Sequence, residues 1–95
     1  MSLKEDFADH IKSQSEIWRA QIKDYQDQLN RAGEQARADY QKAVSQMQTN
    51  AEEARKLFEK VQSANEAAWQ GMHSATQKAF AELQKGWADA LGHFK

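Results

Sequence analysis

Apolar side chains recur along this chain at a fixed interval of eleven residues. Tyr25, Ala36, Met47, Phe58, Trp69, Phe80 and Leu91 each follow the last by eleven positions. Eleven residues make about three turns of α-helix, so these side chains share one face with slow drift. In the first half Phe7, Trp18, Leu29, Tyr40 and Ala51 repeat at the same interval beside that line, joined by Ile11, Ile22 and Val44. In the second half the flank moves by one residue, to Val61, Met72, Leu83 and Phe94, with Ala68, Ala79 and Ala90 alongside. Between Phe7 and Phe94 the stripe advances in steps of three and four that average about 3.6 residues. A heptad would average about 3.5 and force a left-handed supercoil, so the pattern predicts long amphipathic helices that are nearly straight or slightly right-handed.

The helix ends are marked unevenly. Ser2 with Glu5 three residues on has the form of a capping box, and Asp6 adds negative charge to the first turn. Gly92, His93 and Lys95 suit a C-terminal helix end. Three interior places carry break signals. Asn30–Gly33 is able to end a helix at the glycine, Thr49–Asn50 offers a cap followed by the acidic Glu52 and Glu53, and Ser63–Glu66 repeats the capping-box pattern. The flank slips between Ala51 and Val61, which favours the second and third places. The sequence therefore predicts one reversal, near 63–66 or near 48–51, within a single helical domain spanning residues 1–95.

One hairpin of two helices covers its apolar stripe only in part, and three Trp, four Phe and two Tyr are too many to leave in water. The expectation is thus an all-α fold of long amphipathic helices forming a helical hairpin or coiled coil, self-associating into an antiparallel helix bundle. The residues expected to form the self-association stripe are Trp18, Tyr25, Leu29, Tyr40, Met47, Phe58, Val61, Trp69, Met72, Phe80, Leu83, Trp87 and Leu91. Trp69 and Trp87 lie eighteen residues apart, about five turns, and so share a face with Phe80, Leu91 and Phe94. This aromatic set reads first as bundle core and second as a surface for adsorption.

Composition supports helix and narrows function. The 95 residues include no proline and four glycines, with alanine and glutamine the commonest residues and β-branched residues scarce. The 13 basic and 14 acidic side chains give a net charge of −1, evenly divided along the chain, so the basic footprint of a nucleic-acid binder is missing. Asp27–Arg31 and Glu52–Lys56 have the i,i+4 spacing of a solvated helix face. Without cysteine there is no disulfide framework or thiolate site, which fits a reducing compartment, and no apolar run reaches transmembrane length. The expectation is a cytoplasmic protein with no transmembrane segment and no nucleic-acid partner.

Candidate chemistry is sparse. Asp6 with His10 and Asp89 with His93 have a two-ligand helical spacing, but no Glu-x-x-His occurs, so neither a metal nor any other cofactor is expected. No glycine-rich phosphate loop or nucleophile elbow is present, and Glu52 and Glu53 sit where burial will not separate their acid and base roles. The chain reads as non-enzymatic. Trp69-Gln70-Gly71 has the form of the Trp-x-Gly turn of a family of small secreted helical hairpins. In that family the motif forms the central turn, whereas here it lies inside a strong helical pattern.

The final third, from Glu66-Ala67-Ala68-Trp69 through Ala79-Phe80-Ala81-Glu82-Leu83 to His93-Phe94-Lys95, resembles short bacterial coiled-coil proteins of uncharacterised function. The opening Leu3-Lys4-Glu5-Asp6-Phe7 and Ala38-Asp39-Tyr40 extend the likeness over the chain. The resemblance implies an all-helical fold with a break before Ala67-Ala68-Trp69, and it implies no activity. In style the chain is also similar to phasins, which coat bacterial polyester granules, and to apolipoprotein-like repeats. Three functions are therefore expected in order: a structural protein that self-associates as a homo-oligomer, an amphipathic coat on lipid or a storage granule, and an adaptor accepting a partner helix.

Overall fold

Residues 3–94 are described by a computed structural model, in which nearly the whole chain is helical. Helix α1 spans Leu3–Arg31, α2 spans Glu34–Ser63 and α3 spans Glu66–Leu91, followed by a 3-10 turn at Gly92–Phe94. Proline is absent and helix formers dominate, so only specific side chains interrupt the helix. Ser2 of the N-terminal capping box and Lys95 of the C-terminal end lie outside the described residues. Glu5 and Asp6 place negative charge in the first turn of α1, where it offsets the helix dipole.

The chain reverses twice, not once. The first turn is Ala32–Gly33, where Gly33 takes an extended conformation (φ −71°, ψ 168°) and its carbonyl accepts from the amides of Ala36 and Arg37 at 3.2 and 3.0 Å. Glycine in a helix interior costs about 1 kcal/mol relative to alanine, which weakens the helix at this point. The second turn is Ala64–Asn65. Asn65 caps α3 by accepting from the Ala68 amide at 2.8 Å, and Lys4 donates from α1 to the Ala64 carbonyl at 2.7 Å. At 48–51, the other expected place, α2 continues unbroken. Asn50 does not cap there. Its side chain reaches sideways and donates to the Leu83 carbonyl of α3 at 3.1 Å. A residue able to cap is used instead for a contact between helices, and the local signal is overridden.

Two turns of two residues each make α1 and α3 parallel and α2 antiparallel to both, in a rod of 52 × 19 × 16 Å. The α1 and α2 backbones approach closely along their length, those of α2 and α3 less so, and those of α1 and α3 scarcely at all. Side-chain size explains the order. Ala8, Ala43, Ala51 and Ala54 are buried and let helices come together, whereas tryptophan and phenylalanine rings fill the gap between α1 and α3. Ile11, Met47 and Val61 are the largest side chains wholly enclosed at the centre. Of the large apolar residues among those described, only Leu3 and Ile17 are mainly exposed, at 79% and 51%. The third helix covers within one chain the part of the stripe that a hairpin leaves bare.

Two glycines inside α3 separate packing from propensity. Gly71 is exposed, and a Cβ added there meets nothing within 4 Å. A Cβ at Gly86 lies 3.0 Å from the Asn50 side-chain nitrogen, which is held by its bond to Leu83. Gly71→Ala is therefore expected to stabilise the fold by about 0.5–1 kcal/mol, raising the thermal midpoint by several degrees. Gly86→Ala displaces Asn50 and loses that gain. Circular-dichroism melts of the two variants measure the difference, and equal stabilisation by both would show that the Asn50 contact has no weight.

Candidate interaction seam

The 3.6-residue period brings the aromatic residues of α1 and α3 onto facing sides, and the parallel arrangement sets them in register. Trp69 packs against Phe7 with ring centroids 5.7 Å apart, and Phe7 meets Phe80 edge-on at 5.9 Å. Phe80 in turn touches Trp18 at 6.2 Å, and Trp18 stacks on Trp87 at 5.0 Å with the planes 13° apart. At the far end Phe94 lies between Tyr25 of α1 and Tyr40 of α2, at 4.6 and 4.4 Å. Such pairs contribute about 0.5–1.5 kcal/mol each beyond the area they bury. His10 sits edge-on to Phe80 at 5.3 Å, and His73 does the same to Trp69 at 5.8 Å, so both imidazoles flank the seam from its exposed side.

The α2–α3 seam has a different chemistry. Beside the Asn50 bond, Gln46 donates to the Gly86 carbonyl at 3.0 Å, so two amide side chains of α2 grip consecutive turns of α3. Helix backbone carbonyls are fixed in position, so the pair specifies one axial register between the helices. Ser15, Asn50 and Thr76 are the buried polar residues, and among the described residues no enclosed side-chain nitrogen or oxygen lacks a partner.

Of the thirteen stripe residues, Trp18, Met47, Val61, Trp69, Phe80 and Trp87 are buried, and Tyr25, Leu29, Tyr40, Phe58, Met72, Leu83 and Leu91 are half-buried. Tyr25, Phe58, Met72, Leu83 and Leu91 pack against the buried core of this one chain. Phe58 stands apart from the ring ladder. It faces the outer α1–α2 groove, lined on one side by Ala8, Lys12 and Gln62 and on the other by Ser15, Arg19 and Arg55. Ala68 and Ala79, assigned to the stripe by spacing, are exposed. They mark where the stripe is wider than the contact.

The outer surface is polar. On α2, Arg55 bridges Glu52 and Glu59, one helical turn away on either side. The Arg55 hydrogen bond, aided by its charge, holds the Glu52 carboxyl below its ordinary range, and Glu52 raises Arg55 in return. All three side chains are open to solvent, so the network orders the surface more than it stabilises the fold. Asp6/His10 and Asp89/His93 gather no third ligand, and among the described residues no cluster of three or more metal-binding side chains forms. Among the described residues no helix is long and apolar enough to cross a membrane.

Sequence reasoning missed the Gln46–Asn50–Gly86 contact. Its signal was a glycine at position 86 inside a strong helical pattern, which marks close approach of another group. No protein-family model, curated protein or solved structure matches the chain.

Proposed function

We propose that the chain is a non-enzymatic structural protein that acts by helix–helix association along its apolar stripe, as a homo-oligomer in the cytoplasm. What carries this reading is the polar content of the seam. Gln46 and Asn50 donate from the stripe's edge to backbone carbonyls of a neighbouring helix. A helix offers such acceptors at fixed positions. A lipid or polyester surface offers none in this geometry, and an amide buried there without a partner costs on the order of 1–3 kcal/mol. The ring pairs support the same reading, because stacked and edge-on contacts at defined spacing suit protein side chains, not fluid acyl chains.

The expected behaviour is full helicity in plain buffer and a thermal midpoint that rises with protein concentration as associated chains form. Circular dichroism and sedimentation at two concentrations, each with and without anionic phospholipid vesicles, test it. A chain that gains helix only on vesicles and pellets with them would instead be an amphipathic coat, and the proposal would fall.

A further inference from the structure

The stripe keeps its phase through a turn where it has no need to. In a bundle, each helix is free to set its own apolar face after a reversal. Yet Phe58 and Trp69, and Val61 and Met72, hold the eleven-residue interval across Ala64–Asn65, with Asn65 falling on the stripe itself. That continuity is what an uninterrupted helix requires.

The break is confined to two residues, Ala64 (φ −75°, ψ 138°) and Asn65 (φ −79°, ψ 175°), both extended, with helix on either side. No proline or glycine lies between 63 and 66. Three of the backbone groups freed by the break are held by side chains. Ser63 donates its hydroxyl to the Lys60 carbonyl at 3.3 Å, Lys4 donates to the Ala64 carbonyl, and Asn65 accepts from the Ala68 amide. In a continuous helix the Ala64 carbonyl and the Ala68 amide would bond to each other. The break therefore exchanges helical hydrogen bonds for contacts supplied by Lys4, Ser63 and Asn65.

The first turn lacks this balance. Gly33 disfavours helix there, and Phe94 packs against Tyr25 and Tyr40, which lie on either side of that turn. Chain opening is thus directed to Ala64–Asn65.

Resting on the self-association reading above, we propose that Ala64–Asn65 is a hinge through which two copies of the chain exchange α3. Straightened, the hinge joins α2 and α3 into one helix over 34–91, about 87 Å long. Such a helix carries α3 away from its own α1. Two copies placed antiparallel about their hinges each seat α3 on the α1–α2 pair of the other. Every seam contact, from the Trp18–Trp87 stack to the Gln46 and Asn50 bonds, is then recovered between chains or along the fused helix. The closed chain and the exchanged dimer differ mainly at the hinge, so its residues and the protein concentration set their ratio.

Two variants act on the hinge in opposite directions. Glu66→Pro places proline at the first position of α3, where it is favoured, after a residue already extended. In the fused helix the same proline removes a hydrogen bond and clashes with the preceding turn, so the dimer is expected to weaken by at least about 100-fold. Asn65→Ala removes the cap and favours helix, and is expected to tighten the dimer roughly tenfold or more. The test is sedimentation equilibrium of the wild type and both variants over a wide concentration range, after refolding at high concentration. Small-angle scattering supplies the dimer's length. The expected results are a wild-type dimer roughly 90 Å or more long, a Glu66→Pro variant that stays monomeric with undiminished helicity, and a predominantly dimeric Asn65→Ala variant. If Glu66→Pro dimerises as tightly as wild type, or the dimer is no longer than the closed rod, the hinge is overturned while self-association stands. If no variant associates at any concentration, both fall.

Discussion

Trp18→Ala is expected to destabilise the protein by about 3–5 kcal/mol and to lower its thermal midpoint by at least about 15 °C. Trp18 is 2% exposed and is the one ring that joins the two halves of the α1–α3 ladder, stacking on Trp87 and touching Phe80. The α1 and α3 backbones hardly approach each other, so no main-chain packing substitutes for the lost ring. A fold of this size has roughly 5–10 kcal/mol in hand, and a loss of that scale leaves α3 loosely attached. Far-UV circular dichroism should retain much of the helix in α1 and α2, while the near-UV aromatic signal collapses. Phe58→Ala gives the comparison. Phe58 is half-buried in an open groove outside the ladder, so its removal should lower stability by far less. Equal losses from both variants would refute the ladder as the principal tie between α1 and α3.

Ala54→Glu is expected to abolish the folded state under ordinary conditions, and Ala67→Glu to leave it intact. Ala54 is fully enclosed in α2, among small residues that allow α1 to approach. A glutamate there must either bury an unpaired carboxylate or push the helices apart, and burial of an uncompensated charge costs several kcal/mol. Ala67 is exposed in the first turn of α3, where a carboxylate favours the helix dipole by about 0.3–1 kcal/mol. Chemical-denaturation midpoints of the two variants measure the contrast. A cooperative unfolding transition for Ala54→Glu near the wild-type midpoint would mean that the α1–α2 contact is looser than its geometry.

The all-helical character was legible residue by residue, because helix propensity and a 3.6-residue apolar period are local properties. The stripe was legible in part: Trp18, Met47, Val61, Trp69, Phe80 and Trp87 are buried, while Phe58 faces an outer groove. The number of reversals was not. Asn30–Gly33, Thr49–Asn50 and Ser63–Glu66 carry similar signals, and which of them break is decided by partners distant in sequence. Lys4 reaches Ala64 from α1, while Asn50 is drawn away to Leu83. A cap residue is worth about 1 kcal/mol, and one well-made tertiary contact is enough to outbid it.

The expectation that another chain must cover the stripe rested on counting one turn. With the second turn at Ala32–Gly33, α3 covers within one chain the face shared by α1 and α2. The seam chemistry followed the same division. Aromatic spacing announced a common face, but the stacking of Trp18 on Trp87 and the wedge of Phe94 between Tyr25 and Tyr40 depend on a parallel α1–α3 pair. No local pattern encodes that pairing.

By itself, then, the sequence determined which residues are helical, which face of each helix is apolar, and that the centre of this face keeps an eleven-residue interval from Tyr25 to Leu91. These follow from backbone preference and from periodicity, which act over a few residues at a time. Only the tertiary structure decided where the chain turns, which helices lie parallel, and that Gln46 and Asn50 fix the register of α3. Those outcomes depend on contacts 33 to 60 residues apart in sequence. A long-range contact selects among breaks of similar local free energy, and that choice exists only once the helices meet.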